Sequence, residues 1–285
     1  MTRYWRPRLS VPAALLCAAS VLAPAMAQAR DLVVYGEPTL ERALKSVGSL
    51  WQARTGTRVN VFVAPADLSY AQIERGARCD VIFAPAGAVT NEAARSNIIQ
   101  ADTIARAFRN NLALVGNEPG VQPPANARLA DLERLITGKT LAIANPDRDL
   151  AGAHAVPFLR KLGIMVDDGN KRIRVAESSA GVVNMLATGR AQLGIVYATD
   201  AKAPGFKLVV PLAMPDQPPI EYIVARARDP ESDTQPFMTF VKSAEAKAAF
   251  KSAGLALIDD GVSQQGRSRL AEEDASTRQR DERRQ

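Results

Sequence analysis

Short apolar runs alternate along the chain with longer stretches in which apolar residues recur every three or four positions. A strand covered on both faces reads as a continuous apolar run, whereas a helix lying on a sheet shows an apolar stripe at helical spacing. Leu32-Val33-Val34-Tyr35, residues 59–63 and Asp80-Val81-Ile82-Phe83-Ala84 are predicted as strands, with helices over 39–54, 68–75 and 92–96 around them. In the first helix Leu40, Ala43, Leu44, Val47, Leu50 and Trp51 fall on one face, and Gly56 stands just beyond as a stop. Asn111-Leu112-Ala113-Leu114-Val115-Gly116 reads as a strand that leads into a Pro- and Gly-bearing loop.

The same rhythm then repeats. Helices are predicted over 129–136, 152–162 and 180–188, strands over 140–144, 172–175, 193–196, 207–212 and 220–225, and a closing helical region over 233–252. Such βαβ alternation builds sheets of mostly parallel strands flanked by helices. The expected organisation is two α/β lobes. The first comprises 28–112 and returns over 213–262, and the second spans 113–212. Lobes of this kind take ligands in the cleft between them, where helix N-termini follow the carboxyl ends of strands.

The N-terminus changes the picture of where the chain works. Arg3, Arg6 and Arg8 precede an apolar stretch from Val11 to Leu22, too short to span a bilayer, and Ala25-Met26-Ala27 offers a small-x-small cleavage site. Residues 1–27 are therefore read as a signal peptide for export to the periplasm. Its loss takes three of the 36 basic residues and none of the 30 acidic ones, leaving a formal charge of +3. Basic residues are scattered without aromatic interleaving, so no nucleic acid partner is expected. About 235 residues remain before a polar tail over 263–285, predicted to be disordered, and that length suits two lobes.

Catalytic chemistry is hard to assemble from what remains. His154 is the single histidine, which removes a convincing Ser-His-Asp triad and any multi-histidine metal site. Cys79 is a lone thiol once Cys17 leaves with the signal, and reads as a small buried hydrophobe. No phosphate-cradling glycine loop and no cofactor motif is present, so a binding protein is expected and not an enzyme. Several strand-to-helix junctions carry hydroxyls and small residues: Gly36-Glu37-Pro38-Thr39, Ala64-Pro65-Ala66-Asp67, 145–152, Glu177-Ser178-Ser179-Ala180-Gly181 and 194–200. Free backbone N–H groups there can hold an anion, although Thr39 and Ser179 would serve equally as simple helix caps.

The order of these junctions resembles the periplasmic molybdate-binding proteins of bacterial ABC transporters from Asp31 to Ile258. The stretches that carry the likeness are Thr39-Leu40-Glu41-Arg42-Ala43-Leu44, 70–77, Cys79-Asp80-Val81-Ile82-Phe83-Ala84, Ala142-Ile143-Ala144-Asn145-Pro146 with Ala151-Gly152, and Gly194-Ile195-Val196-Tyr197 with Asp200-Ala201. The resemblance implies the two-lobed α/β fold of a type II periplasmic binding protein. It also implies that a tetrahedral oxyanion is held by hydroxyls, backbone amides and one tyrosine, without a cation.

Carried over, Thr39 supplies a hydroxyl, Ala151 and Ser179 supply amides, and Tyr197 is the tyrosine. The second serine-bearing loop reads Ala64-Pro65-Ala66-Asp67, so Ala66 and Asp67 stand at ligand positions without a hydroxyl, and Pro65 has no N–H. Each lost partner weakens an oxyanion site by about 1–3 kcal/mol. Glu37 and Asp67 fall beside the cleft, where an ionised carboxylate opposes a dianion. The resemblance thus implies a monomeric receptor that passes molybdate or tungstate to an inner-membrane permease. The altered loop keeps a different small ligand open, and a periplasmic sensor or adaptor role stays open beside it.

Overall fold

The strand β1 (Leu32–Gly36) is buried at every position, and its side chains alternate between two cores. Leu32 and Val34 join one apolar cluster, whereas Val33 and Tyr35 join another on the opposite face. Val81 and Phe83 of a neighbouring strand divide from Ile82 and Ala84 in the same way. Successive side chains of a strand point to opposite faces, so a sheet covered on both sides needs apolar residues at every position. This is why the runs at 32–35 and 81–84 are continuous.

The computed structural model describes residues 30–117, 129–167, 169–202, 205–212 and 219–258. The expected signal peptide and polar tail lie outside the described residues. In chain order, α1 (Glu41–Thr55), β2 (Val59–Val63), α2 (Ala66–Glu74), β3 (Val81–Pro85), α3 (Ala88–Arg95) and β4 (Ala105–Asn110) follow β1. Next come β5 (Leu112–Gly116), α4 (Leu129–Ile136), β6 (Leu141–Ala144), α5 (Leu150–Lys161), β7 (Ile173–Ala176), α6 (Ser179–Ala187), β8 (Leu193–Tyr197) and β9 (Leu208–Leu212). The chain then forms β10 (Ile220–Arg226), α7 (Gln235–Val241), α8 (Ala244–Ser252) and β11 (Ala256–Leu257).

Two sheets result, ordered β11-β4-β10-β3-β1-β2 and β7-β6-β8-β5-β9. The trios β2-β1-β3 and β7-β6-β8 are parallel, as βαβ alternation predicts. Antiparallel pairing enters through β10, β11 and β5, so both sheets are mixed. The chain passes from the first sheet to the second at Asn110–Asn111, and Leu112, expected to close the first lobe, opens β5 in the second sheet.

β4 and the closing helices depart from the sequence pattern. β4 was not legible because Arg106 and Arg109 interrupt its apolar alternation. Both pair with Glu221 on the adjacent β10, Arg109 Nε at 3.0 Å, and Glu221 is 7% exposed. The closing helical region divides into α7 and α8, because Ser243 takes an extended conformation and its hydroxyl caps Ala246 N at 3.2 Å.

Packing behind the sheets fixes the frame. Phe83, Phe108, Phe250 and Tyr222 meet in one aromatic cluster, with Phe108 and Phe250 ring centroids 4.6 Å apart. Each such ring stabilises the fold by about 1.5–3 kcal/mol through burial alone. α1 presses Ala43, Leu44, Val47 and Trp51 onto this core and ends at Gly56, whose φ of 76° is left-handed. Asp80 is fully buried and accepts from Val33 N at 2.7 Å, Glu231 N at 2.8 Å and Ser232 N at 3.1 Å. That part of the Cys79–Ala84 stretch ties the first strand to the start of the closing helices.

Candidate functional site

Each lobe sends the carboxyl ends of its parallel strands toward the other, and helices begin there. In the first lobe β1 runs into Glu37, Pro38 and Thr39, the last two in a 3-10 turn before α1. Ala66 opens α2 after Pro65, and no side chain within that junction caps the helix. Glu37 supplies the cap from a distance, since its Oε1 accepts from Ala66 N at 2.7 Å. Burial pushes the Glu37 carboxyl up to about 7, and the charges of Asp149 and Asp67 push the same way against the Ala66 hydrogen bond. Asp67 itself is exposed on the first turn of α2.

In the second lobe one carboxylate gathers three donors. Asp149 is the N-cap of α5, and its Oδ1 accepts from Ala151 N at 2.8 Å. Its Oδ2 accepts from Ser179 N at 2.8 Å, at the start of α6, and Tyr197 donates its hydroxyl to Oδ1 at 2.9 Å from the end of β8. Ala151 N also donates to the Tyr197 hydroxyl at 3.1 Å. Two helix N-termini and a phenol thus converge on one anionic group, an arrangement that helix dipoles favour. Burial drives the Tyr197 hydroxyl well above its ordinary value, so it remains a donor.

Local sequence explains why α5 starts so close to β6. A Cβ on Gly152 would lie 2.2 Å from the Ala144 carbonyl oxygen and 2.7 Å from its carbon, and only glycine permits this approach. The neighbouring amide of Ala151 is thereby set at the strand end. Ser178 caps α6 through Gly181 N at 3.3 Å, which leaves Ser179 N free for Asp149. Ser179 donates its own hydroxyl to Asp200 at 2.5 Å. Burial raises the Asp200 carboxyl, while the Ser179 hydrogen bond and Arg42 oppose the rise.

The two lobes are tied across the cleft. Thr39 Oγ1 and Thr199 Oγ1 are 2.9 Å apart, and Asn110 Nδ2 donates to both at 3.1 Å. Arg42 Nη2 donates to the Thr199 carbonyl at 2.6 Å. The buried Tyr222 hydroxyl meets Asn110 and Thr39 from β10.

Of the residues singled out in the sequence, Ala151, Ser179 and Tyr197 meet around one point. Thr39 is held in the Asn110–Thr199 network, joined to them through Thr199 two residues beyond Tyr197, and Ala66 is engaged by Glu37. Asp67 is exposed to solvent and acts on the site only through the effect of its charge on Glu37. Sequence reasoning missed Asn110 and did not single out Asp149, Thr199 or Arg42, although Asp149 and Thr199 lie within the junctions it named, 145–152 and 194–200. For Asp149 a signal existed, an Asp directly before a helix and two residues ahead of Ala151-Gly152, the usual place of an N-cap.

Comparison with known proteins agrees with this architecture. A molybdate-binding protein of Escherichia coli is 26% identical over 260 residues, covering 90% of this chain and 100% of that protein. The periplasmic molybdate-binding protein of Azotobacter vinelandii superposes with a TM-score of 0.67 at 23% identity, over 80% of this chain and 100% of that one. A tungstate ABC transporter structure from Geobacter sulfurreducens gives 0.57 at 16% identity, over 78% and 97%. The family profile described as bacterial extracellular solute-binding protein matches residues 32–256, which is most of the chain and both lobes. With strand order, cleft and matched span in agreement, the chain belongs to the bacterial extracellular solute-binding protein family.

Proposed function

We propose that this chain is the solute-binding component of an ABC importer, receiving a small oxyanion such as molybdate or tungstate between its lobes and delivering it to a membrane permease. The observation that carries the reading is the convergence of Ala151 N, Ser179 N and the Tyr197 hydroxyl on a single carboxylate. Donors arranged to hold one anion can hold another, and no cation is needed where helix N-termini supply the field. Thr39 and Ala66 N would complete the shell from the first lobe. Asp67, exposed to solvent, is left out of that set. The Escherichia coli relative, matched over its whole length, supports molybdate as the first candidate.

In this reading the chain binds and releases its cargo without turnover, in keeping with a family of solute-binding proteins. It works as a monomer in the periplasm after its signal peptide is removed. No helix among the described residues is long and apolar enough to cross a membrane.

A second reading is favoured by Glu37 and Asp149, two acids whose charges act on each other at the same point. A different small ligand, one that tolerates or uses these carboxyls, would suit them. Isothermal titration with molybdate, tungstate and sulfate separates the two readings. Saturable binding of molybdate or tungstate at one ion per chain is expected. No saturable binding of any of the three at millimolar concentration would overturn the oxyanion reading.

A further inference from the structure

An N-cap aspartate ordinarily spends its carboxylate on the first turn of its own helix. Asp149 does this with one hydrogen bond, to Ala151 N, and then does two things capping does not require. It takes Ser179 N, the first amide of a different helix 30 residues away, and it takes the Tyr197 hydroxyl from the end of β8. These are the three donors that the second lobe offers to a ligand. In the first lobe the corresponding amide, Ala66 N, is likewise taken by a carboxyl, that of Glu37.

We infer that Asp149 is an internal competitor that sets the affinity of the cleft, a built-in carboxylate that an external oxyanion must displace from Ala151 N, Ser179 N and the Tyr197 hydroxyl before it can bind. This inference rests on the reading that those donors form the ligand site. Two physical consequences follow. An incoming anion gains only the difference between its own hydrogen bonds and those Asp149 already makes, because exchanging one charged acceptor for another nets little. A dianion also meets the negative charge of the displaced carboxylate nearby, at short range and away from bulk water. Affinity for every oxyanion is therefore held down by this side chain, at a cost common to all of them, so only a ligand whose own hydrogen bonds exceed that cost is retained.

The test is titration of the full chain and of its Asp149→Ala and Asp149→Asn variants with molybdate, tungstate and sulfate, followed by calorimetry and by thermal shift. Asp149→Ala removes the shared acceptor from all three donors, leaving Ala151 N only its bond to the Tyr197 hydroxyl, and Asp149→Asn keeps an oxygen for the helix cap while removing the charge. That second variant keeps the test informative if loss of the cap unfolds the first. At least tenfold tighter binding of molybdate or tungstate by either variant is the expected result. A purely structural cap predicts the opposite sign, since a loosened α5 N-terminus would weaken binding.

The outcomes separate this inference from the function proposed above. If the unaltered chain binds molybdate and the variants bind equally or more weakly, the inference is overturned and the oxyanion function stands. Binding by the variants alone supports the inference and overturns molybdate as the cargo of the natural chain. If none of the three proteins binds any oxyanion, both are overturned.

Discussion

Replacing Glu37 with glutamine should stabilise the protein by an amount that grows with pH. Glu37 sits partly buried at the foot of β1 and accepts from Ala66 N at 2.7 Å, and burial pushes its carboxyl from 4.5 up to about 7. A carboxyl raised in the folded state contributes full stability below its unfolded value, and that contribution is lost as pH rises toward the folded value. The reason is that the unfolded chain ionises first and is favoured by doing so. For the values 4.5 and about 7, linkage makes the penalty about 1 kcal/mol at pH 5 and about 3 kcal/mol at pH 8. Glutamine keeps an acceptor oxygen for Ala66 N and removes the ionisation.

Thermal unfolding followed by circular dichroism at both pH values measures the difference. With about 2–4 °C of Tm per kcal/mol for a chain of this size, the gain should be about 2–4 °C at pH 5 and about 6–12 °C at pH 8. The pH dependence decides the matter, not the gain itself. An equal gain at both pH values would show that Glu37 ionises as readily in the folded protein as in the unfolded chain, so that its carboxyl is not raised. A loss at pH 8 would show that its charge is needed, by α2 or by a partner in the cleft, and the assignment of burial as the dominant influence would fall.

Two further expectations can be checked on the same preparations. Gly152→Ala places a Cβ 2.2 Å from the Ala144 carbonyl, a backbone group that cannot yield, so the variant should lose about 1–3 kcal/mol by urea denaturation. An unchanged midpoint would show that α5 can shift from β6 at no cost. Cys79 is 3% exposed, and burial pushes its thiol up to about 12. A thiol-reactive dye at pH 8 should therefore label it only after urea unfolds the chain, and rapid labelling of the native protein would refute this.

Local pattern determined much of this molecule. Unbroken apolar runs placed β1 and β3 between two cores, and the 3.6-residue stripe of α1 placed its buried face, because backbone geometry sets which positions share a face without reference to distant residues. Glycines at 56 and 152 were legible as a stop and as part of a motif. The strand–helix alternation was enough for two α/β lobes, and the junctions at Thr39, Ala151, Ser179 and Tyr197 could be picked out as places where donors lie free.

What the sequence could not show is which groups those donors would meet. β4 escaped notice because the charges of Arg106 and Arg109 look polar until Glu221, more than 110 residues later, comes alongside on β10. Asp149 looked like part of a loop. Its meeting with Ser179 N and the Tyr197 hydroxyl depends on β6, β7 and β8 lying side by side in one sheet, so that α5 and α6 start next to the end of β8. Likewise Thr39, Asn110 and Thr199 form one network only because the lobes close on each other. Secondary structure is written in neighbouring residues. The content of the cleft was decided by tertiary structure, because a hydrogen bond needs its two atoms within about 3 Å, and only the packed sheets bring residues so far apart in the chain to that distance.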